Sequence, residues 1–281
     1  MFVNQLKTFI VLSVLTMLVL TSGFALGGEI GLTIALIFTV IFNVLSYWYS
    51  DKIVLKMYKA EEANYSEYES LISMVKEIAE RAKIKKPKTY IISSRVPNAF
   101  ATGRSQEKAV VAVTTGLLEE LDERELKGVL AHEISHIKNK DTLISTIAVV
   151  LAGSIAYVAM MARWAMIFGR KEEGSGNIYE VLALSILAPI IATILRLSIS
   201  RSREYLADET GAKIIKDPLA LASALKKIEE YPHKFEKGNQ AAASLFIINP
   251  FSSKYFFKLF STHPPTHERI KRLRKISMLT Q

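Results

Sequence analysis

Two stretches near the start of the chain, Thr8 to Leu26 and Ile30 to Trp48, carry no charged residue. They restrict the fold more than any other feature. Each approaches the ~20 residues that a helix needs to cross a hydrocarbon layer. Gly27-Gly28-Glu29 forms a short break between them, so the two are expected to fold as a helical hairpin. Tyr47, Trp48 and Tyr49 close the second stretch as an interfacial aromatic belt. Ala25-Leu26-Gly27 resembles a signal-peptidase site. The apolar run before it is longer than the ~7–15 residues of a signal sequence, and a second run follows at once, so an uncleaved anchor is expected.

Hydrophobic residues make up 50% of the 281 residues, and mean hydropathy is +0.22. Two later runs add to this excess. Thr142 to Ala162 is uncharged, and Ile178 to Leu195 holds only Glu180, near its start, with Pro189 inside it. Four spans in two hairpins are the expected arrangement. The alternative for the last run is a buried helix of a soluble domain. With four spans, Lys7, Lys52, Lys56, Lys59, Lys138, Lys140, Arg196, Arg201 and Arg203 fall on one side. The opposite side has no cation in the first turn, and Arg170 and Lys171 with Arg163 nearby in the second. The positive-inside rule then places both termini and the regions between the hairpins in the cytoplasm. Juxtamembrane cations facing anionic lipid account for the net charge of +9. No nucleic-acid-binding motif accompanies that charge, so no nucleic-acid partner is expected.

The polar regions have their own pattern. Tyr65 to Lys83 reads as an amphipathic helix with Leu71, Ile72, Val75, Ile78 and Ala79 on one side. Thr89 to Ile92 and Ala109 to Val113 read as short strands. Between them Pro97 to Gly103 is a turn followed by an extended segment. Asp122 and Glu125 form a capping box that opens a helix, continued by Leu126, Val129, Leu130 and Ile137 at helical spacing. Gly128 on that helix suggests close backbone packing.

That helix carries His132-Glu133-Ile134-Ser135-His136, an H-E-x-x-H sequence. Residues four apart share a helix face, so two imidazoles can bind one metal ion. The adjacent Glu133 can then take a proton from a water on that ion. Cysteine is absent. There can be no thiolate ligand, and a third ligand must come from His, Asp or Glu. Glu204 and Asp208 lie four apart in a second helical segment, Arg201 to Ala212. One of them can bind the metal while the other orients a ligand histidine.

His132-Glu133-x-x-His136, Glu204-Tyr205-Leu206-Ala207-Asp208, and Thr262-His263-Pro264-Pro265-Thr266 with Glu268-Arg269-Ile270 together resemble the HtpX membrane zinc metalloproteases, relatives of the type-1 CAAX prenyl proteases. The resemblance covers essentially the whole chain. It implies an α+β, mainly helical fold: a gluzincin-like catalytic domain with a small β-sheet, and four transmembrane helices in two hairpins. The expected organisation is a hairpin over 1–50, the first part of the catalytic domain over 51–141, a second hairpin over 142–197 and the rest of the catalytic domain over 198–281. It further implies one Zn²⁺ per chain on His132, His136 and Glu204. Glu133 would be the catalytic base, with Asp208 behind the ligands and His263 and Arg269 near the reacting carbonyl. Asn98, with Ala99, Phe100 and Ala101, would contact substrate along a sheet edge.

The function expected on this basis is metal-assisted hydrolysis of misfolded or unfolded membrane proteins at the cytoplasmic face of the cell membrane. Polypeptides and the lipid bilayer would be the partners. A processing peptidase for lipidated C-termini and a non-catalytic membrane protein with a structural metal are the rival readings.

Overall fold

The structure, a computed structural model, describes the chain except for Met1, Arg104, residues 142–143, 145–154, 156–158, 160–177, 232–263 and 280–281. Most of the apolar run from Thr142 to Ala162, the turn after it, and His263 therefore lie outside the described residues. The chain divides into two compact units. One comprises Met1–Trp48 and Ile144–Ile199, the other Tyr49–Leu143 and Ser200–Gln281.

The first unit is built from apolar helices. Helix α1, Phe2–Met57, is interrupted at Gly27 (φ −150°, ψ 21°) and Gly28 (φ 57°, ψ −139°). Gly28 adopts a left-handed conformation that other residues rarely take. A Cβ on Gly31 would lie 2.1 Å from the Gly23 carbonyl oxygen. In a straight helix those residues would be about 12 Å apart, so the two arms fold back side by side, as the glycine break predicts. The apolar stretch Ser13–Ile41 (29 residues, mean hydropathy 2.0, 11% buried) has the length and composition of a membrane-crossing segment and contains this break, so its length is shared between the two arms.

A second long helix, α5, runs from Ile178 to Ile215 without a break at Pro189. The apolar run and the Glu204–Asp208 segment, separate in the sequence reading, are thus one helix. Its N-terminal part exposes Ile186, Leu187, Ile190, Ile191 and Ile194 and buries Ala188 and Ala192. This inverts the pattern of a soluble protein, with small residues inside and large apolar ones outside.

The second unit is α+β. Its sheet has the order β1-β2-β4-β3, from Glu61–Glu62 (β1), Lys88–Ile92 (β2), Ala99–Thr102 (β3) and Val110–Thr114 (β4). β2 and β4 are parallel, while β1 and β3 run antiparallel to their neighbours. Helix α2 spans Tyr65–Ala82, a short α3 spans Thr115–Glu120, and α4 spans Glu123–Lys138. Helices α6, Pro218–Glu230, and α7, Thr266–Leu279, complete it.

The main core joins Leu71, Val75 and Ile78 of α2 to Val111 and Val113 of β4. From there it continues to Val129, Leu130 and Ile134 of α4, Leu225 and Ile228 of α6, and Leu273 of α7. Each such side chain contributes roughly 1.5–3 kcal/mol by leaving water. On the other sheet face Ile92, Phe100 and Ala112 form a smaller cluster with Val54, Leu55 and Tyr58 from the end of α1.

Candidate active site

Helix α4 begins at the expected capping box: Glu125 N–H donates to Asp122 Oδ1 (2.8 Å), and Asp122 N–H donates to Glu125 Oε2 (3.2 Å). The buried Glu125 also accepts from Ser223 Oγ (2.6 Å) and Lys227 Nζ (2.7 Å), fixing α4 against α6. The helices approach at backbone distance. A Cβ on Gly128 would lie 2.5 Å from the Leu221 nitrogen, and one on Gly211 of α5 would lie 3.1 Å from the backbone of Ala131 and His132. The second contact brings α5 onto the histidine-bearing turn, with Asp208 one turn before Gly211.

His132, His136 and Glu204 converge there, with ligand atoms within 4.8 Å of one another. His132 Nε2 lies 3.1 Å from His136 Nε2 and 3.5 Å from Glu204 Oε2, and His136 Nε2 lies 3.4 Å from Glu204 Oε1. A tetrahedral ion with bonds of ~2.0–2.2 Å, the lengths zinc makes to nitrogen and oxygen, separates its ligand atoms by about 3.3–3.6 Å. The two distances to Glu204, 3.5 and 3.4 Å, fall within that spacing, and the Nε2–Nε2 distance of 3.1 Å is slightly shorter.

The other ring nitrogens explain why the imidazoles point inward. His132 Nδ1 lies 2.9 Å from Asp208 Oδ1, and His136 Nδ1 lies 3.0 Å from Asp141 Oδ2. Each carboxylate accepts the Nδ1 proton, which leaves both Nε2 lone pairs facing one another. Two lone pairs at that separation require a cation or a proton between them. The donor set therefore fits a metal ion held by three protein ligands among the described residues.

The electrostatics agree. Burial and the Arg269 guanidinium both push the His132 imidazole down, but Asp208 and Glu204 prevail and hold its pKa at about 10. Burial alone would raise the Asp208 carboxyl; Arg269 and His132 bring it to about 2. The cluster demands positive charge at its centre.

Arg269 of α7 is 1% exposed and donates Nε and Nη2 to the two oxygens of Asp208, at 2.9 and 2.7 Å. Its Nη1 lies 3.5 Å from Glu204 Oε2. Helix α7 is held on α5 by Tyr205, whose hydroxyl donates to Glu268 Oε2 (2.6 Å) and whose ring lies 3.7 Å beneath the Arg272 guanidinium. Glu133 is buried, and its charge reaches Arg269.

The sequence-predicted site residues His132, Glu133, His136, Glu204, Asp208 and Arg269 are thus brought together. Asp141 and Arg203 were missed. Arg203 Nη1 donates to Asp141 Oδ1 (2.8 Å), and both side chains are buried. Arg203 reads in the sequence as part of the cationic flank of a hairpin, and nothing local pairs it with Asp141, 62 residues away.

Asn98, Ala99, Phe100 and Ala101 lie on or beside β3, an outer strand of the sheet that packs against α4. Thr114 N–H donates to the Asn98 carbonyl (2.9 Å), while Asn98 N–H donates to Thr114 Oγ1 (2.8 Å). Because Asn98 is a bonded position, antiparallel alternation turns the N–H and C=O of Ala99 and Ala101 away from β4, toward the outer edge. The Phe100 side chain packs beneath the sheet, 5.2 Å from the Tyr58 ring.

Comparison with known proteins agrees with this geometry. Residues 66–277 match the model of peptidase family M48. A protease HtpX homolog of Pyrococcus furiosus is 53% identical over 276 residues, 97% of this chain and 96% of that one. One from Persephonella marina is 49% identical over 277 residues, 96% of each. In fold, the chain resembles the crystal structure of S. mikatae Ste24p, with a TM-score of 0.56 at 17% identity over 97% of this chain and 64% of that one. It thus spans just under two thirds of that protein's length. A family match over most of the chain, near-full-length relatives at about half identity and the His132–His136–Glu204 cluster lead to one conclusion: the chain belongs to peptidase family M48.

Proposed function

We propose that this peptidase is a multi-pass membrane zinc endopeptidase that cleaves misfolded or unfolded membrane proteins at the cytoplasmic face. The observation that carries this reading is the convergence of two imidazole nitrogens and a carboxylate at tetrahedral ligand spacing beside the buried Glu133. His132, His136 and Glu204 would hold the zinc. When bound, zinc polarises the scissile carbonyl and makes water acidic enough to lose a proton near neutral pH. Glu133 takes that proton and returns it to the leaving amine. Asp208 keeps His132 in the Nδ1-protonated form. Arg269, with two donors committed to Asp208, acts as a positioning residue. Oxyanion stabilisation falls to His263, an assignment resting on the family resemblance alone.

The outward-facing backbone groups of the half-buried Ala101 offer an extended peptide a place to add as a strand. Asn98 fixes the start of that strand, and Phe100 anchors it from beneath. Of the four spans, those over 8–48 and 178–195 are supported by the exposed apolar side chains of α1 and of the first half of α5. The cationic flanks support a cytoplasmic catalytic domain. The chain leaves that domain at Asp141 for an apolar run and returns through Arg196 to Arg203, so the domain is tethered to the bilayer. Such tethering favours substrates that are themselves in the membrane.

The test is metal analysis with proteolysis on purified full-length protein. One zinc per chain is expected, with casein cleavage abolished by chelation and restored by added Zn²⁺. Cleavage that survives complete metal removal would refute the reading. Cleavage of a prenylated peptide in preference to casein would favour the processing peptidase instead.

A further inference from the structure

We propose that Asp141 and Arg203 are positioning residues for the metal ligand His136. Asp141 would select its tautomer, and Arg203 would fix the carboxylate that does so. This rests on the zinc reading and deepens it.

The geometry is a relay of two buried groups, Arg203 and Asp141, onto the half-buried His136. Arg203 Nη1 donates to Asp141 Oδ1 at 2.8 Å, and the other oxygen, Oδ2, faces His136 Nδ1 at 3.0 Å. It parallels the relay on the other histidine, where Arg269 holds Asp208 and Asp208 faces His132 Nδ1 at 2.9 Å. Each imidazole is therefore backed by a carboxylate that an arginine holds. Imidazole binds a metal through whichever nitrogen lacks a proton, so fixing the proton on Nδ1 directs the Nε2 lone pair to the ion.

The placement of the pair adds a consequence. Asp141 is three residues past the end of α4, where Lys140 turns the chain with φ 59°. Arg203 lies on α5, one residue before Glu204. In sequence the two residues bracket the segment 142–197. Closing the relay therefore requires that segment to bring its two ends together. Both ends bear on the metal through adjacent groups: Asp141 through His136, and Arg203 through Asp141 while its neighbour Glu204 is itself a ligand.

Substitution of Asp141 by asparagine is the informative change because it preserves volume. With Arg203 present, the amide must turn its oxygen toward the guanidinium and its NH₂ toward Nδ1. The proton then moves to Nε2 and the ligand lone pair is lost. With Arg203 changed to Met, the amide is free to turn its oxygen to Nδ1–H. The test uses full-length detergent-solubilised protein and measures Zn²⁺ affinity by competition with a chromophoric chelator, together with the visible spectrum of the Co²⁺ form. Asp141→Asn should bind zinc roughly 10- to 100-fold more weakly than wild type.

The double variant Asp141→Asn/Arg203→Met should recover to within about threefold of wild type, and Asp141→Leu/Arg203→Met should not recover. The two double variants both remove the charges of Asp141 and Arg203 and differ in whether an acceptor faces Nδ1. Their comparison therefore stands even if the single variant does not fold. A pair that serves structure alone would lower thermal stability and leave zinc affinity and the cobalt spectrum unchanged. Equal affinities in the two double variants would overturn the positioning role. A wild-type chain that binds no zinc would overturn the zinc reading along with it.

Discussion

Arg269 grips Asp208 with two parallel hydrogen bonds, from Nε at 2.9 Å and Nη2 at 2.7 Å, and Asp208 in turn faces His132 Nδ1. The pair joins helix α7 to His132, the proposed metal ligand 137 residues earlier in the chain. Lysine cannot reproduce a planar two-point contact. Arg269→Lys should therefore lower kcat by about tenfold or more at saturating zinc with little change in KM, because Asp208 loses its fixed orientation. Arg269→Ala should be more damaging to folding, by about 3–5 kcal/mol, since it strands buried carboxylates. Steady-state kinetics on a casein peptide and thermal melts check both. A large rise in KM with unchanged kcat would assign Arg269 to substrate binding.

The two carboxylates of α5 should separate in metal binding. Glu204→Ala leaves two ligands where three are needed and should abolish stoichiometric zinc binding at micromolar protein. Asp208→Ala keeps all three ligands and should weaken affinity by roughly 10- to 100-fold. Equilibrium dialysis decides between them. Equal retention of zinc by Glu204→Ala and wild type would exclude Glu204 as a ligand.

Local signals were legible in the sequence. The capping box of α4, the buried face of α2, the strand around residues 89–92 and the glycine break at Gly27-Gly28 are all read from neighbours a few residues apart. The close approach at Gly128 was legible for the same reason, although its partner, Leu221 of α6, was not. What was missed depends on distant partners. β1 is two residues long and exists because it pairs with β2. The continuity of α5 through Pro189 runs against proline's cost of ~3 kcal/mol in a helix interior, a cost tolerated in apolar helices. Asp141 and Arg203 gain meaning from a contact between residues 62 apart, which no periodicity encodes.

Asp217 caps α6 by accepting from Ala220 N–H (3.2 Å) and pairs with Arg124 of α4, whose Nε lies 2.6 Å away. The Arg124 hydrogen bond is the largest influence on its carboxyl and holds it below the usual range. A group with a depressed folded pKa stabilises above its unfolded pKa of ~3.9 and loses that contribution as pH falls through the folded value. Asp217→Ala should cost about 1 kcal/mol at neutral pH. The gap between wild type and variant should close below about pH 4. Melts of chelated protein across pH 3–7 remove the metal's own pH dependence. A gap that stays constant over that range would contradict the assignment.

The orientation has its own test. A cysteine replacing Ser175 should react with an impermeant thiol reagent on intact cells, and one replacing Ser66 should react after the membrane is opened. The chain has no native cysteine to give background. The warrant is the apolar run from Thr142 to Ala162 with its cationic flanks. Reaction at Ser175 from the cytoplasmic side alone would make the second hairpin re-entrant or interfacial.

In the proposed mechanism Glu133 moves protons while His132, His136 and Glu204 hold the metal. The most direct measurement takes Glu133→Gln protein, purified beside wild type, and reads zinc content and proteolysis from the same preparation. One zinc per chain is expected in both, with melting temperatures equal within a few degrees and a loss of cleavage of about 10²-fold or more in the variant. Zinc-loaded Glu133→Gln protein that cleaves casein near the wild-type rate would contradict the mechanism, and loss of zinc from that variant would contradict the division of roles.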